Sequence, residues 1–171
     1  YENKENPKLV FNADSAMHYL KRAGFEDKND EGILINSKGT PLSFTINIQQ
    51  TLAYMVTPVQ NKLKQFGIDM QIVNMDGTTR WKNLQERNFT IYLHAFTGGV
   101  HPSIEHWFRS DLADVPDNNN FFGFKNERVD QLIQDYNSEF DLQKRINIGK
   151  EVDKIVCDIH PLSFGIKRLY R

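Results

Sequence analysis

Two strand-like runs separated by a helical segment decide the fold of this chain. The first run is Leu42-Ser-Phe-Thr-Ile-Asn-Ile48, and the second is Ile68-Asp-Met-Gln-Ile-Val-Asn-Met75. Between them, apolar residues recur at helical spacing over Leu52–Phe66, and Gly67 is the expected end of that helix. A strand that leads through a helix to another strand is typical of a parallel sheet.

The alternation of strands and helices continues further along the chain. A helix is predicted over Thr78–Arg87, and it is followed by the apolar strand Phe89–Phe96, which we expect at the centre of the sheet. Strand, helix, strand, helix and strand in this order predict parallel pairing with right-handed crossovers. The sequence therefore predicts an α/β fold with a central, mostly parallel sheet flanked by helices.

The other predicted elements complete this fold. Pro58 is expected in the first turn of the Leu52–Phe66 helix, where a missing N–H costs little. A first helix is predicted to Arg22, with Asn12 or Asp14 as its cap and Gly24 as its end. A loop over Phe25–Glu31 and a strand at Ile33–Ile35 follow it. Near the end of the chain, helices are predicted at Glu127–Ser138 and Asp141–Asp158, and a last strand at Pro161–Ile166.

Composition excludes several classes of protein. The 171 residues carry 21 basic and 22 acidic side chains in mixed order, which gives no basic stripe for nucleic acid or an anionic membrane. A single cysteine cannot form an internal disulfide framework. Both ends have the character of cut ends, so we expect an excised piece of a larger protein that forms one domain over residues 1–171, with residues 1–11 as a linker.

The tract after the Phe89–Phe96 strand is the first candidate for ligand contact. Thr97, Gly98, Gly99 and Val100 follow the strand directly, and glycine lets backbone amides and carbonyls approach a ligand closely. The carboxyl ends of parallel strands are where such sheets bind ligands. The alternative is a plain turn before a helix with Pro102 in its first turn.

A second candidate is the amide-rich and aromatic-rich tract that follows. Asn118, Asn119 and Asn120 offer paired donors and acceptors, and Phe121 or Phe122 could enclose a substrate. The alternative is a surface turn that docks its phenylalanines in the core, which is the role we predict for Phe124.

Single polar residues near the predicted sheet edge are further candidates. Arg80 begins a helix after a strand and could clamp a ligand carboxylate, with a solvated arginine as the alternative. Gln49 and Gln50 end the first strand at the same edge. His101 could donate a hydrogen bond in a cleft. The histidine spacing matches no metal motif, so neither a metal site nor a cofactor is predicted.

Four phrases in one order carry a family resemblance. They are Asp14-Ser-Ala-Met-His-Tyr-Leu-Lys-Arg-Ala-Gly-Phe25, Gly32-Ile-Leu-Ile-Asn-Ser-Lys-Gly-Thr-Pro-Leu-Ser-Phe-Thr-Ile46, Val59-Gln-Asn-Lys-Leu-Lys-Gln-Phe-Gly-Ile-Asp-Met-Gln-Ile72 and Asn120-Phe-Phe-Gly-Phe-Lys-Asn-Glu-Arg-Val-Asp-Gln-Leu-Ile133. Together they resemble the C-terminal lobe of family 5 extracellular solute-binding proteins, over about residues 10 to 168. The tract from Phe108 to Asn120 is most similar to an oligopeptide-binding subgroup.

The resemblance implies the type II periplasmic-binding-protein architecture and a set of partners. Two lobes close on a peptide ligand, a membrane permease of an ABC importer receives it, and the receptor lies in the periplasm or tethered outside the cell membrane. Only one lobe is expected here, so the N-terminal lobe would be the missing partner. Gly98 and Gly99 stand where some peptide receptors of the family carry an acidic residue for the peptide's amino terminus. Asp76 or Glu105 could substitute for it.

Three other functions compete with peptide binding. A nickel or metal-chelate receptor shares the same fold, and a sensory or adhesion module could have borrowed the lobe. A hydrolase is disfavoured because the sequence has neither a Gly-x-Ser-x-Gly elbow nor a His-Glu-x-x-His helix. The predicted protein is therefore a receptor and not an enzyme.

Overall fold

The computed structural model describes residues 3–7, 10–95 and 103–162. These residues divide into two compact units, one formed by residues 10–95 and one by residues 3–7 and 103–162. We call them the sheet unit and the helical unit. The prediction of one lobe over residues 1–171 stays a prediction, as does the last strand at Pro161–Ile166, of which 163–166 lie outside the described residues.

The sheet unit contains a small hairpin, a parallel sheet and three helices. Its elements, in chain order, are α1 (Ala13–Arg22), β1 (Phe25–Lys28), β2 (Leu34–Asn36), β3 (Ser43–Ile48), α2 (Ala53–Gln65), β4 (Asp69–Asn74), α3 (Gly77–Gln85) and β5 (Ile91–Tyr92). A short 3₁₀ turn over Gln50–Leu52 precedes α2. The helical unit contains α4 (Glu105–Phe108), α5 (Glu127–Ser138) and α6 (Leu142–Ile159).

The parallel sheet has the strand order β4-β3-β5, and both pairings are parallel as predicted. β3 matches β4 over six residue pairs but matches β5 only at Ile46 with Ile91 and Asn47 with Tyr92. In the described part of the sheet β3 lies in the middle and β5 at one side, so a central position for the Phe89–Phe96 run stays a prediction.

One face of the sheet packs against α2. Ile46 and Ile48 of β3 lie with Met70 of β4 and Val56 of α2 in a buried cluster. Pro58 is inside α2 and not in its first turn as predicted, because the helix already begins at Ala53. Pro58 is exposed, so water can reach the carbonyl group that lacks an N–H donor.

The Phe25–Glu31 segment is not the loop that the sequence predicted. Phe25–Lys28 forms β1, which pairs antiparallel with β2 and carries an irregular register between Phe25 and Asp27. Its side chains are mostly exposed, so no apolar alternation marked it as a strand. Asn29 closes the turn by accepting hydrogen bonds from the backbone of Ile33 and Glu31.

Side-chain caps fix where the helices begin. Asn12, Asp76, Asn126 and Asp141 each accept hydrogen bonds from backbone N–H groups in the first turn of α1, α3, α5 and α6. The predicted starts of these helices are thereby confirmed to within one residue, with Asn12 rather than Asp14 as the first cap. None of the described helices is long and apolar enough to cross a membrane.

The helical unit has its own core between α5 and α6. Val129, Leu132 and Ile133 of α5 pack against Val152 and Val156 of α6. Phe124 joins this cluster with 4% of its surface exposed, as predicted. Each of the two helices thus turns an apolar face towards the other.

Candidate functional site

Three strand ends meet at the carboxyl edge of the parallel sheet. Gln49 follows β3, Asp76 and Gly77 follow β4, and Leu93 and His94 follow β5. The Met75 N–H donates to the Ile48 carbonyl at 2.9 Å and extends the β3–β4 ladder to this edge. Polar groups from separate parts of the chain are therefore adjacent, as the parallel topology requires.

Arg80 ties two of these strand ends together. Its Nε donates to the Asn47 carbonyl at 3.2 Å and its Nη2 donates to the Leu93 carbonyl at 2.8 Å. The guanidinium carbon lies 4.5 Å from the ring centre of Tyr92, a cation–π distance. Only 8% of the residue is exposed, so Arg80 is not the solvated arginine that the sequence left open.

The charge of Arg80 acts on its aromatic neighbours. Burial lowers the pKa of the His94 imidazole, and the nearby guanidinium lowers it further. Burial raises the pKa of the Tyr92 phenol, and Arg80 opposes part of that rise. At neutral pH this edge therefore holds a fixed positive charge beside a neutral imidazole and a neutral phenol. Such an edge suits a carboxylate or another electron-rich ligand group.

Asp76 and Glu105, the two candidate anchors for a peptide amino group, are both engaged within the protein. Asp76 accepts from the Thr79 hydroxyl at 2.6 Å and from the backbone N–H groups of Thr78 and Thr79. These hydrogen bonds, above all that of the Thr79 hydroxyl, lower the pKa of the Asp76 carboxyl. Glu105 accepts from Arg109 and Asn137 at 3.0 Å each.

Gln49 and Gln50 lie at the carboxyl end of β3 as predicted. Gln49 is half-buried, and its amide packs against Gly77, where an added Cβ would lie 2.8 Å from the Gln49 Nε2. Gln50 is exposed in the 3₁₀ turn that leads to α2. Ligand contact by either residue stays a prediction.

The three predicted contact residues Asn118, Asn119 and Asn120 differ in burial and in hydrogen bonding. Asn120 has no exposed surface, and its amide bonds the Arg109 carbonyl at 2.9 Å and both backbone groups of Phe124 at 2.8 Å. The Asn118 amide donates to the carbonyls of Leu112 and Val115. Asn119 is exposed. The side chains of Asn118 and Asn120 therefore stabilise the loop by hydrogen bonds to its backbone, whereas Asn119 is exposed to solvent.

The phenylalanines of this loop pack on α4. Phe121 is 4% exposed and meets Trp107 edge-on at 5.8 Å between ring centres. Phe122 is half-buried and stacks on Phe108 at 6.0 Å. Packing of this kind holds the loop, and the prediction of ligand contact by Phe121 and Phe122 stays untested.

The remaining predicted contacts, Thr97, Gly98, Gly99, Val100 and His101, lie outside the described residues. Sequence reasoning missed Asn47, Tyr92 and the Leu93 carbonyl at the sheet edge. The amide of Asn47, between the buried Ile46 and Ile48 of β3, was the available signal. Within the described ranges, no three His, Cys, Asp or Glu side chains are grouped so that they could hold a metal ion.

Comparison with known families places the chain in a class of receptor. Residues 1–111 match the model of the middle region of bacterial extracellular solute-binding proteins, family 5. The chain belongs to this family of solute-binding proteins. The resemblance seen in the sequence is thereby confirmed.

Particular relatives agree with that assignment. The chain is 25% identical over 163 residues to the oligopeptide-binding protein AppA of Bacillus subtilis. This alignment covers 92% of this chain and 30% of that protein. The solved structure of AppA with a nonapeptide matches at a TM-score of 0.79 and 22% identity, over 94% of this chain and 32% of that one. The structure of Campylobacter jejuni NikZ in complex with Ni(L-His) matches at a TM-score of 0.76 and 19% identity, over 93% of this chain and 33% of that one.

These matches confirm the type II binding-protein fold. A Thermotoga maritima oligopeptide-binding protein with bound mannohexaose matches at a TM-score of 0.76 and 22% identity, over 88% of this chain and 30% of that one. The chain spans about a third of the length of the relatives that it matches. The ligands in these structures are a peptide, an oligosaccharide and a metal chelate, so the fold alone does not select among them.

Proposed function

We propose that this chain is part of the substrate-binding component of an ABC importer that takes up peptides. The observation that carries the proposal is membership of family 5 over residues 1–111. The bound peptide lies in a cleft closed by a second lobe, and a membrane permease receives it. The receptor works outside the cell membrane, as the name of the family implies, and it performs no bond-breaking chemistry.

The geometry of the sheet edge supports a peptide as ligand. Extended peptides present carbonyl oxygens, amide N–H groups and a terminal carboxylate. Arg80 keeps a positive charge at the edge and fixes the carbonyl directions of Asn47 and Leu93. Gln49 adds an amide that can both donate and accept. An edge of this kind can bond peptide backbone without selecting side chains.

The proposed ligand contacts are those that the sequence indicated. They are Gln49, Gln50 and Arg80 in the sheet unit, Asn118, Asn119, Asn120, Phe121 and Phe122 in the helical unit, and Thr97, Gly98, Gly99, Val100 and His101 between them in the sequence. Asn119 is presented directly to solvent, whereas Arg80, Asn118, Asn120 and Phe121 act mainly by holding their neighbours in place.

Mass spectrometry of ligand that copurifies with the complete protein tests this function. We expect a mixture of short peptides, and titration calorimetry should then show binding of a synthetic member of that mixture. The Gln49→Ala variant should bind at least about tenfold more weakly, a loss of about 1.4 kcal/mol. Gln71→Ala is the matched control, since Gln71 lies on β4 away from the strand ends. Recovery of a metal chelate or an oligosaccharide in place of peptides would refute the peptide assignment.

A further inference from the structure

A glycine begins α3 at the edge where β3 and β4 end. This residue, Gly77, directly follows the Asp76 cap and is the first residue of the helix. Glycine is among the least favourable residues in a helix, because it loses more conformational freedom on folding than any other residue. A glycine in a helix therefore calls for a reason, either in its backbone conformation or in the space around it.

The backbone conformation does not require glycine at this position. Gly67, by contrast, has φ +80°, which residues with a side chain rarely adopt. Gly77 is helical and is not one of the described glycines with positive φ, so alanine fits its backbone without strain. What Gly77 supplies is therefore space.

The side chain of Gln49 occupies this space. A Cβ at position 77 would lie 2.8 Å from the Gln49 Nε2 and 4.0 Å from its Cδ. Apart from the chain neighbours and the helix backbone, these are the only atoms of the described residues within 4 Å of it. An ordinary contact is about 3.5 Å, so in Gly77→Ala the amide nitrogen has to move by roughly 0.7 Å.

This movement changes the edge without disturbing the fold. The Gln49 Nε2 is the far end of a flexible side chain, and Gln49 is only half-buried, so the amide can turn away from an added methyl group. Alanine also favours the helical state more than glycine does. Gly77→Ala should therefore fold at least as well as the parent protein while the Gln49 amide is displaced.

A displacement of this size matters to a ligand that bonds the amide. A peptide unit presents one N–H donor and one carbonyl acceptor, and a glutamine amide can pair with both only when its oxygen and nitrogen point in matching directions. Binding groups have to be held within about 0.5 Å of their working geometry, and the expected movement exceeds this tolerance.

We propose that Gly77 is a positioning residue of the ligand site, which holds the Gln49 amide where it bonds a peptide unit of the ligand. Gly77 acts through the place that it leaves for Gln49 and not through a contact of its own. The inference rests on the proposed function, since it assigns the backbone of a peptide as the group that the Gln49 amide recognises.

The first test measures the Gln49 amide in the complete protein without ligand. Glutamine labelled with nitrogen-15 gives an NMR signal for each side-chain NH₂ group, and the signal of Gln49 is the one lost in Gln49→Ala. This signal should shift in Gly77→Ala. Thr78→Ala is the matched control, because it places an alanine at the next position of α3, which is exposed, and it should leave the Gln49 signal unchanged.

The second test is calorimetric titration with a synthetic peptide identified among the copurified ligands. Gly77→Ala should weaken binding by about threefold to tenfold, the range that corresponds to one hydrogen bond, and Thr78→Ala should bind as the parent does. In a Gln49→Ala background, Gly77→Ala should weaken binding no further, because the group that Gly77 positions is then absent.

An unshifted Gln49 signal in Gly77→Ala would overturn the positioning role. So would an equal loss of affinity in the Gln49→Ala background, since Gly77 would then act independently of Gln49. Peptide binding that Gly77→Ala leaves unchanged would refute this inference alone. A parent protein that binds no peptide would refute the proposed function, and the inference with it.

Discussion

Neighbouring asparagines in the loop before α5 have opposite roles. Asn120 is fully buried and joins the Arg109 carbonyl to the backbone of Phe124, whereas Asn119 is exposed. We expect Asn120→Ala to lower the free energy of unfolding by about 3 kcal/mol, because it leaves three buried backbone groups without partners. Urea denaturation of both variants measures this difference.

Asn119→Ala is the control for that measurement, and it should change stability by less than about 0.5 kcal/mol. Equal effects of the two substitutions would show that the hydrogen bonds of Asn120 do not hold the loop. The pair also separates structure from binding, since only Asn119 is free of a structural role in the described contacts.

Protonation of His94 should weaken the sheet unit. Its pKa is lowered in the folded state, so the unfolded state binds more protons and the free energy of unfolding falls as pH decreases. The loss of stability begins as the pH falls to the usual histidine pKa of 6.5, and it levels off below the pKa that His94 has in the folded protein. Urea denaturation at pH 7.5 and at lower pH measures it, and His94→Gln should remove this part of the pH dependence.

The Arg80→Gln variant tests the electrostatic part of the same effect. Removing the guanidinium should raise the pKa of His94, although burial would still keep it below the usual value. Proton NMR titration of the imidazole follows this shift. A pKa that stays unchanged in Arg80→Gln would mean that burial alone is responsible.

At the scale of elements, local signals predicted the helices well. The bounds of α5 and α6 were predicted to within one residue, because the residues that mark a helix lie close together in sequence. Strands depend on partners far along the chain. That is why β1, which is polar, was missed, and why the strand predicted from Phe89 begins only at Ile91 as β5.

The turn between α2 and β4 requires glycine for two reasons. Gly67 has φ +80°, and an added Cβ would lie 2.9 Å from the Gly32 carbonyl oxygen and 3.2 Å from the Leu34 Cγ. Gly39 has a similar φ of +77° but open space around it. Gly67→Ala should therefore cost at least about 2 kcal/mol, against about 1 kcal/mol for Gly39→Ala.

Thermal unfolding of the two glycine variants isolates the steric contribution, because the backbone strain is common to both. A larger effect at Gly39 would contradict the tight approach of the Gly67 turn to the hairpin. Equal effects would place the cost of these substitutions in the backbone conformation alone.

For the whole molecule, the fold class and the family could be predicted, but the details of the site could not. Parallel topology guarantees that the residues after β3, β4 and β5 share an edge, so Gln49, Gln50 and Arg80 were correctly assigned to it. The sequence does not show that Arg80 points back to the strand carbonyls. Nor does it distinguish Asn119 from Asn120, since burial is decided by packing that a local pattern does not contain.

The size of the chain leads to a further prediction about affinity. If the ligand is held between two lobes, this chain alone should bind peptide no more tightly than about 1 mM, or about 4 kcal/mol. Calorimetry with the chain and with the complete protein compares the two cases. Micromolar binding by the chain alone would contradict closure of two lobes as the source of affinity.

The unequal pairing of the central strand sets the order in which the sheet comes apart. β5 is joined to β3 at only two residue pairs, while β4 is joined at six. Deuterium should accordingly enter the amides of Ile91 and Tyr92 well before that of Ile48. Detachment of β5 would carry Leu93 and His94 away from Arg80 while β3, α2 and β4 stay together. One side of this sheet edge would thus open and reclose by itself, at a fraction of the cost of global unfolding.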